Sequence, residues 1–147
     1  MPMIDVYAAA GTFARKRELA VNLAATMIRW EGVPRISLFL DNTAAFVHEI
    51  EPDALANAAG NNNYVRVQIL TPVGVLDREQ QLGVVKEMTD IVAAAADDPG
   101  IVERTWVLIT EAPEGGWGID GHAYTGAEIA DAARRELSCN SSTDQKE

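Results

Sequence analysis

The sequence has few of the residues that form disulfides or bind metal ions. Its 147 residues include one cysteine, Cys139, and two histidines, His48 and His122. A single cysteine excludes an internal disulfide, and these residues lack the spacing of a zinc-ligand cluster. Cys139 lies in a polar segment with no base beside it, which argues against a thiol nucleophile.

Basic residues are scarce as well. Twelve lysines and arginines face twenty-two acids, a formal net charge of −10. Nucleic-acid binding normally needs a basic stripe, so we expect no nucleic-acid partner. The apolar runs around Leu38 and Val107 are too short to span a membrane, and no membrane partner is expected. The N-terminus lacks the pattern of a secretory signal, so the default expectation is a cytoplasmic protein.

Apolar residues make up 48% of the chain and charged residues 23%, as in globular domains. Their spacing in the first half predicts a strand, a helix and a strand. Residues 3–8 alternate like a strand, and residues 14–30 carry a helical apolar stripe that Gly32 and Pro34 terminate. Residues 36–41 alternate again and predict the second strand.

The same order recurs in the second half. Residues 65–69 predict a strand, and Asp77 is the expected N-cap of a helix that runs through Val92. Residues 97–100 break this helix, and residues 106–109 predict a fourth strand. The two halves are offset by a little over sixty residues, and a helical crossover of this length suits two parallel strands.

These patterns predict an α+β fold of two tandem β-α-β units, with one four-stranded sheet and two helices on one face. We expect a single domain over residues 1–137, with pseudo-repeats at 1–56 and 64–124. Thr125 and Glu128 have the spacing of a capping box and predict a short final helix. Residues 138–147 are polar and predict a disordered tail.

The second face of such a sheet has no helix to cover it. Tyr7, Phe39 and Trp106 are expected there, and an uncovered apolar face favours oligomerisation. A ferredoxin-like dimeric α/β barrel is an alternative, because it also contains two strand–helix–strand units. That fold would pair the strands of each unit antiparallel.

Two stretches of sequence carry a resemblance to a known family. Met1-Pro2 leads directly into a strand, and the fourth strand ends in Thr110-Glu111-Ala112-Pro113, followed by Gly116-Trp117-Gly118-Ile119-Asp120-Gly121. This combination resembles the 4-oxalocrotonate tautomerase family, whose fold is tautomerase/MIF-like. In that family a strand ends in an acidic residue, and an aromatic-Gly-x-x-Gly turn then feeds a hairpin. The length is similar to the fused cis-3-chloroacrylic acid dehalogenase and malonate semialdehyde decarboxylase branches.

The resemblance implies a cofactor-independent homotrimer in which Pro2 becomes the N-terminus after Met1 is removed. The α-amino group of a model peptide titrates at about 7.7–8. An apolar pocket or a nearby cation would lower the pKa of such an amine further. The neutral secondary amine can then act as a general base on a small carbonyl or enol substrate. A retained Met1 would turn this nitrogen into an amide and abolish its basicity.

The sequence departs from the family at the positions that bind carboxylates. Gly11 is not followed by an arginine, no arginine follows the third strand until Arg78, and Trp106 stands at a third arginine position. Arginine binds carboxylates through two parallel hydrogen bonds, so its loss weakens the grip on a dianion. We therefore expect a larger or less charged substrate in an apolar pocket. Its expected lining residues are Val73, Val75, Trp106, Leu108 and Trp117.

Two further candidates lie at the start of the first helix. Arg15 and Arg17 form either an anion site near Pro2 or an ordinary solvated first turn.

Three alternative functions stay open beside the tautomerase: a decarboxylase, a hydratase or dehalogenase with protonated Pro2 as acid, and a non-catalytic trimer that binds a small apolar molecule.

Overall fold

The central sheet contains four strands in the order β2-β1-β3-β4, and a separate two-stranded hairpin follows it. The structure is a computed structural model and describes residues 1–143. The strands are β1 Met3–Ala9, β2 Ala44–Ile50, β3 Val65–Pro72, β4 Thr105–Ala112, β5 Trp117–Ile119 and β6 His122–Tyr124. The helices are α1 Lys16–Glu31, α2 Ser37–Leu40, α3 Arg78–Ala96 and α4 Gly126–Thr143.

The strand directions confirm the two predicted β-α-β units. β1 pairs parallel with β2, and β3 pairs parallel with β4. The two units meet at the centre of the sheet, where β1 and β3 pair antiparallel. The ferredoxin-like alternative is wrong, because it would require antiparallel strands within each unit.

Helices α1 and α3 cover the same face of the sheet, as predicted. The side chains that point to this face are fully buried at Ile4 and Val6 of β1 and at Val65, Val67 and Ile69 of β3. They form one hydrophobic cluster with Leu23 and Met27 of α1 and with Val84 and Met88 of α3. Full burial of one such side chain stabilises the fold by about 1.5–3 kcal/mol, so this layer is the main core.

The ends of the helices follow the predicted signals. Gly32 ends α1 in the left-handed conformation with φ 66°, and its amide donates to the carbonyl of Arg29. Asp77 begins α3 with a capping box: its carboxylate accepts from the amide of Gln80, and its own amide donates to the Gln80 side chain, both at 2.8 Å. Thr125 and Glu128 form the same reciprocal pair at α4.

The second strand is not where the alternation of residues 36–41 places it. Ser37–Leu40 form the short helix α2, and the strand lies later in the chain, at Ala44–Ile50. The amides of Ser37 and Leu38 donate to the Glu136 carboxylate at 2.8 and 3.0 Å. This carboxylate comes from α4 and satisfies two of the amides that every helix leaves unpaired at its start. A local pattern cannot reveal such a distant partner.

The C-terminal region also differs from the expected disordered tail. α4 continues through residues 138–143, and only residues 144–147 of the expected tail lie outside the described residues. The hydroxyls of Ser138 and Ser141 donate to the carbonyls one turn earlier, at Arg134 and Leu137. These bonds join the polar side chains to the helical backbone.

The face of the sheet opposite the helices is open. Phe46, Trp106 and Leu108 are 50%, 41% and 44% exposed there, and Tyr7 shares this face. Phe39 was expected on this face, but it is buried in a second apolar cluster near Met1.

Among residues 1–143, none of the helices has the length and apolar character needed to cross a membrane.

Gly83 lets helix α3 approach the indole of Trp30. A Cβ at position 83 would lie 2.1 Å from the nearest indole carbon. Gly83→Ala should gain about 1 kcal/mol in helix propensity and lose about 1–3 kcal/mol to overpacking. We expect the free energy of unfolding to fall by about 1 kcal/mol in urea titrations. In a Trp30→Ala background the same change should be stabilising, and destabilisation there too would disprove the steric explanation.

Glu87 of α3 links the two helices electrostatically. It accepts hydrogen bonds from the Arg29 guanidinium and, at 2.6 Å, from the Trp30 indole nitrogen. The bond from Arg29 is the main cause that holds the pKa of Glu87 below its ordinary value of 4.5. Its stabilising contribution is therefore complete above the unfolded-state pKa and is lost as the pH falls through the lower folded-state pKa.

Glu87→Gln should therefore lower the free energy of unfolding at pH 7. Because the variant has no carboxylate to protonate at this position, its free energy of unfolding should fall less than that of wild type between pH 5 and about pH 2. Urea unfolding at several pH values measures both effects. Glu79→Gln, an exposed change of equal charge on the same helix, is the control. An identical pH dependence in wild type and Glu87→Gln would contradict the assignment.

Candidate functional site

The N-terminus of the chain is buried rather than exposed. Met1 is 2% exposed, and Pro2 is buried beside it. The Met1 side chain packs in an apolar cluster drawn from α1, α2, β4, β5 and α4. This group, the Met1 cluster, contains Met1, Ile28, Ile36, Phe39, Ala112, Trp117 and Ala133. Chain termini usually lie at the surface, so a buried terminus is the most unusual feature of the fold.

A carboxylate stands at the N-terminal amine. The Met1 ammonium donates to Glu31 Oε2 at 2.7 Å, and the exposed fractions of the two side chains are 0% and 1%. The other carboxylate oxygen of Glu31 accepts from the Thr71 hydroxyl at 2.7 Å. Thr71 is itself 0% exposed. The pair is buried away from water. A buried ion pair is screened much less than an ion pair at the surface.

The positions of these groups follow from strand pairing. Met3 of β1 lies opposite Leu70 of β3, so Thr71 comes level with the start of β1. On the other side, Met3 lies opposite Ala44 of β2, and the Ala44 amide donates to the Pro2 carbonyl at 3.3 Å.

Thr43 precedes Ala44 and is therefore next to Pro2 in the sheet register. It is 7% exposed, and its hydroxyl has no hydrogen-bond partner among the described residues. Buried polar groups in native proteins are nearly always paired, so an unpaired hydroxyl marks a place where a polar group from outside can bind.

Of the residues predicted from sequence, Trp117 lies with the N-terminus. The chain leaves β4 through a turn in which the Gly116 amide donates to the Pro113 carbonyl at 2.9 Å. Asp120 and Gly121 both have positive φ, at 52° and 76°, as a two-residue hairpin turn requires. This tight hairpin holds the Trp117 indole in the Met1 cluster at 7% exposure.

Trp106 and Leu108 lie elsewhere. Both point to the open face of β4, and the Trp106 indole stacks on the Tyr64 ring at 4.7 Å between centroids. At about 3.3 Å per residue, Leu108 is roughly 13 Å along the strand from Ala112, which belongs to the Met1 cluster. Within one chain these two side chains do not join Trp117.

Val75 lies in the turn between β3 and α3 and is half-buried. The turn is held beside the end of β4, because the Val73 amide donates to the Ala112 carbonyl and the Gly74 amide to Glu111 Oε1, both at 3.1 Å. Glu111 thus binds a backbone amide of the turn. The turn that contains Val75 is therefore held at the end of β4, where Ala112 belongs to the Met1 cluster.

Arg15 and Arg17 lie at the opposite end of α1 from Glu31. Both are exposed, and Arg15 pairs with Glu18 at 3.2 Å. At about 1.5 Å per residue, the helix separates them from Glu31 by roughly 20 Å. Within one chain neither arginine reaches the N-terminus.

The sequence interpretation missed Glu31, Thr71 and Thr43. One signal was available for Glu31, because an acid in the last turn of a helix is disfavoured by the helix dipole and needs another partner. Thr71 and Thr43 carry no such signal, since each becomes a neighbour of Pro2 only through strand register.

One open groove lies away from the Met1 cluster. It has a volume of about 760 Å³ and runs between α3 and the edge strand β4, past Leu82, Val85, Val107 and Ile109. No member of the Met1 cluster lines this groove. Within residues 1–143, no three His, Cys, Asp or Glu side chains are grouped closely enough to hold a metal ion.

No protein-family model matches the sequence, and no curated protein matches it either. Solved structures do match in three dimensions. A fused 4-OT described as a symmetric trimer is 15% identical, with a TM-score of 0.70 over 86% of this chain and 97% of that chain. A member of the cis-3-chloroacrylic acid dehalogenase family is 19% identical, with a TM-score of 0.69 over 92% and 98%.

A macrophage migration inhibitory factor-like protein from Entamoeba histolytica is 17% identical, with a TM-score of 0.65 over 84% of this chain and 98% of that chain. These proteins share the topology described above, and the likeness extends over nearly their whole length. The chain therefore has the tautomerase-superfamily fold, as the resemblance in its sequence predicted.

Proposed function

We propose that this protein is a cofactor-independent tautomerase in which Pro2, freed by removal of Met1, carries the proton. The observation that supports this most directly is the burial of the N-terminus in the Met1 cluster with Trp117. A buried terminus is costly for a chain whose end has no role, because its charge must be paired away from water. The fold is consistent with the proposal, since the fused 4-OT structures share it.

Removal of Met1 would change both the chemistry and the shape of this region. The Pro2 nitrogen would become a secondary amine instead of an amide, and the space that the Met1 side chain fills would become available to a ligand. Trp117, Phe39 and Ile36 would then line an apolar pocket at the amine. The ring of Pro2 fixes φ, which limits the wandering of the base.

The reaction needs one proton carrier. In the direction from ketone to enol, the neutral amine takes a proton from a carbon next to the substrate carbonyl, leaving an ammonium ion and an enolate. The ammonium ion returns this proton to the enolate oxygen, or to a conjugated carbon, and the amine is neutral again. No redox partner or cofactor enters this balance.

The substrate that suits this pocket is apolar and uncharged. Arg15 and Arg17 lie roughly 20 Å from the amine along α1, and the charged side chain at the amine is the Glu31 carboxylate. A dicarboxylate would therefore meet repulsion instead of an arginine clamp.

Glu31 is also the specific observation in favour of the alternative function, a decarboxylase or hydratase with Pro2 as acid, because a carboxylate favours a protonated amine.

The open face of the sheet supports the homotrimer that the resemblance implies. Phe46 on edge strand β2 and Trp106 and Leu108 on edge strand β4 expose apolar side chains there, and exposed apolar side chains on a sheet face favour contact with another chain. In a trimer formed through this face, Trp106 and Leu108 of one chain would be able to contact a neighbour.

Removal of Met1 and the role of Pro2 can be tested together. Intact mass should show the loss of Met1, and Pro2→Ala should lower kcat/KM for the enol of phenylpyruvate methyl ester by about 10²–10⁴-fold. Pro34→Ala, an exposed proline between α1 and α2, is the matched control and should be silent. A retained Met1, or equal activity in Pro2→Ala, would overturn the proposal.

The assembly has its own test. Sedimentation should give a mass of about 48 kDa, three times the 15.9 kDa of one chain. Phe46→Glu should dissociate it, because a charge on the apolar face must lose its water on assembly. Val21→Glu is the control, because Val21 is 58% exposed on α1, away from the sheet face. A monomeric wild type, or dissociation by both variants alike, would contradict the assignment of this face.

A further inference from the structure

The Glu31 carboxylate has no role in the reaction as described, yet it is the most deeply buried acid at the N-terminus. Its side chain is 1% exposed. Among the described residues, the N-terminal ammonium is its one ion-pair partner. A buried charge that loses its partner is strongly destabilising, so a replacement cation would stabilise the Glu31 carboxylate after Met1 is removed.

The Pro2 amine is the cation within reach. Three bonds join the Met1 nitrogen to the Pro2 nitrogen, and they span less than about 4 Å. The Met1 nitrogen lies 2.7 Å from Glu31 Oε2, so the Pro2 nitrogen starts within roughly 7 Å of the carboxylate. Thr71 holds the other oxygen of Glu31 at 2.7 Å and fixes the direction in which the carboxylate points.

We infer that Glu31 is the positioning residue of the Pro2 amine and the residue that excludes carboxylate substrates. This inference rests on the proposed function and deepens it. Glu31 pairs with the amine, holds it in one orientation and favours its protonated form, because an opposite charge at short range stabilises an ammonium ion. The resting enzyme then carries the proton that an enol substrate needs.

The conversion of an enol into a ketone balances its protons without another group. The enol carbon takes the proton of the Pro2 ammonium, which leaves a protonated ketone and a neutral amine. The amine then removes the proton from the ketone oxygen, and the ammonium ion paired with Glu31 is restored. The unpaired Thr43 hydroxyl, next to Pro2 in the register, supplies a hydrogen-bonding group for the substrate oxygen.

The same carboxylate determines the substrate class. A substrate carboxylate bound at the amine would lie near Glu31 in a site without water, where like charges repel strongly. The pocket should therefore take a carbonyl or enol compound with an apolar, branched or aromatic body and no acid group. The ester of a keto acid should bind, and the free acid should be rejected.

The amine can be titrated without relying on activity. Acetic anhydride acetylates only the neutral amine, and the tryptic peptide of residues 2–15 contains no lysine, so fragment masses of this peptide report acetylation of Pro2. In Glu31→Gln, the midpoint of acetylation against pH should fall by about one to three units. Glu18→Gln makes the same charge change at the exposed far end of α1 and should leave the midpoint unmoved.

The substrate preference gives a second readout. In Glu31→Gln, kcat/KM for the enol of phenylpyruvate, relative to the enol of its methyl ester, should rise at least about tenfold, because the repelling charge is gone. Glu31→Asp should restore most of the wild-type preference. If Glu31→Gln fails to fold, Thr71→Val tests the same pair, and its acetylation midpoint should shift in the same direction by a smaller amount.

The outcomes separate this inference from the proposed function. If Met1 is removed and Pro2→Ala is inactive, but Glu31→Gln moves neither the midpoint nor the ester preference, Glu31 is merely structural and the inference is overturned. If Met1 is retained, or Pro2→Ala is fully active, both proposals fall together. A lowered midpoint with a gain in activity on the free acid supports the inference.

Discussion

The antiparallel pairing of β1 with β3 is the constraint on which the rest of the structure depends. This pair joins the two β-α-β units at the centre of the sheet, with Val6 opposite Val67. Because side chains alternate along a strand, the register puts the apolar residues of both strands on one face. Helices α1 and α3 cover that face. A shift of one residue would turn the buried side chains of either strand to solvent. The same register brings Thr71 level with the start of β1 and so builds the polar end of the N-terminal site.

The site combines an apolar shell with one buried ion pair. The shell comes from elements distant in sequence, and Trp117 reaches it only through the tight turns after β4. The pair of the N-terminal ammonium and Glu31 is stabilised by the Thr71 hydroxyl, and loss of one member of such a pair typically costs about 3–5 kcal/mol. This cost ties the position of the chain's first residues to the fold. A mobile N-terminus would be ordinary in most proteins, whereas here it is part of the interior.

Each edge of the sheet is a candidate for contact with another chain. β2 and β4 are the edge strands of the four-stranded sheet, and the groove beside β4 is apolar along Val85, Val107 and Ile109. Edge strands readily pair with other chains, and the exposed aromatic side chains of the open face add to this tendency. The predicted site residues on β4, Trp106 and Leu108, lie on that open face. Their contribution to a pocket therefore depends on assembly.

The sequence by itself determined the elements whose signals are local. The capping box at Asp77, the end of α1 at Gly32 and the alternation of residues 65–69 each depend on contacts within a few residues, and the structure confirms them. It also predicted Pro2 and Trp117 as site residues; the fold brings Trp117 into one cluster with Met1, and the roles of both residues stay a prediction. The tertiary structure decided what depends on distant partners. Glu136 converts residues 37–40 from an alternating pattern into a helix, and strand register places Thr43 and Thr71 beside Pro2. The ion pair of Glu31 with the N-terminal amine forms only in the folded chain. The stability of a buried charge depends on its partner in space and not on its neighbours in sequence.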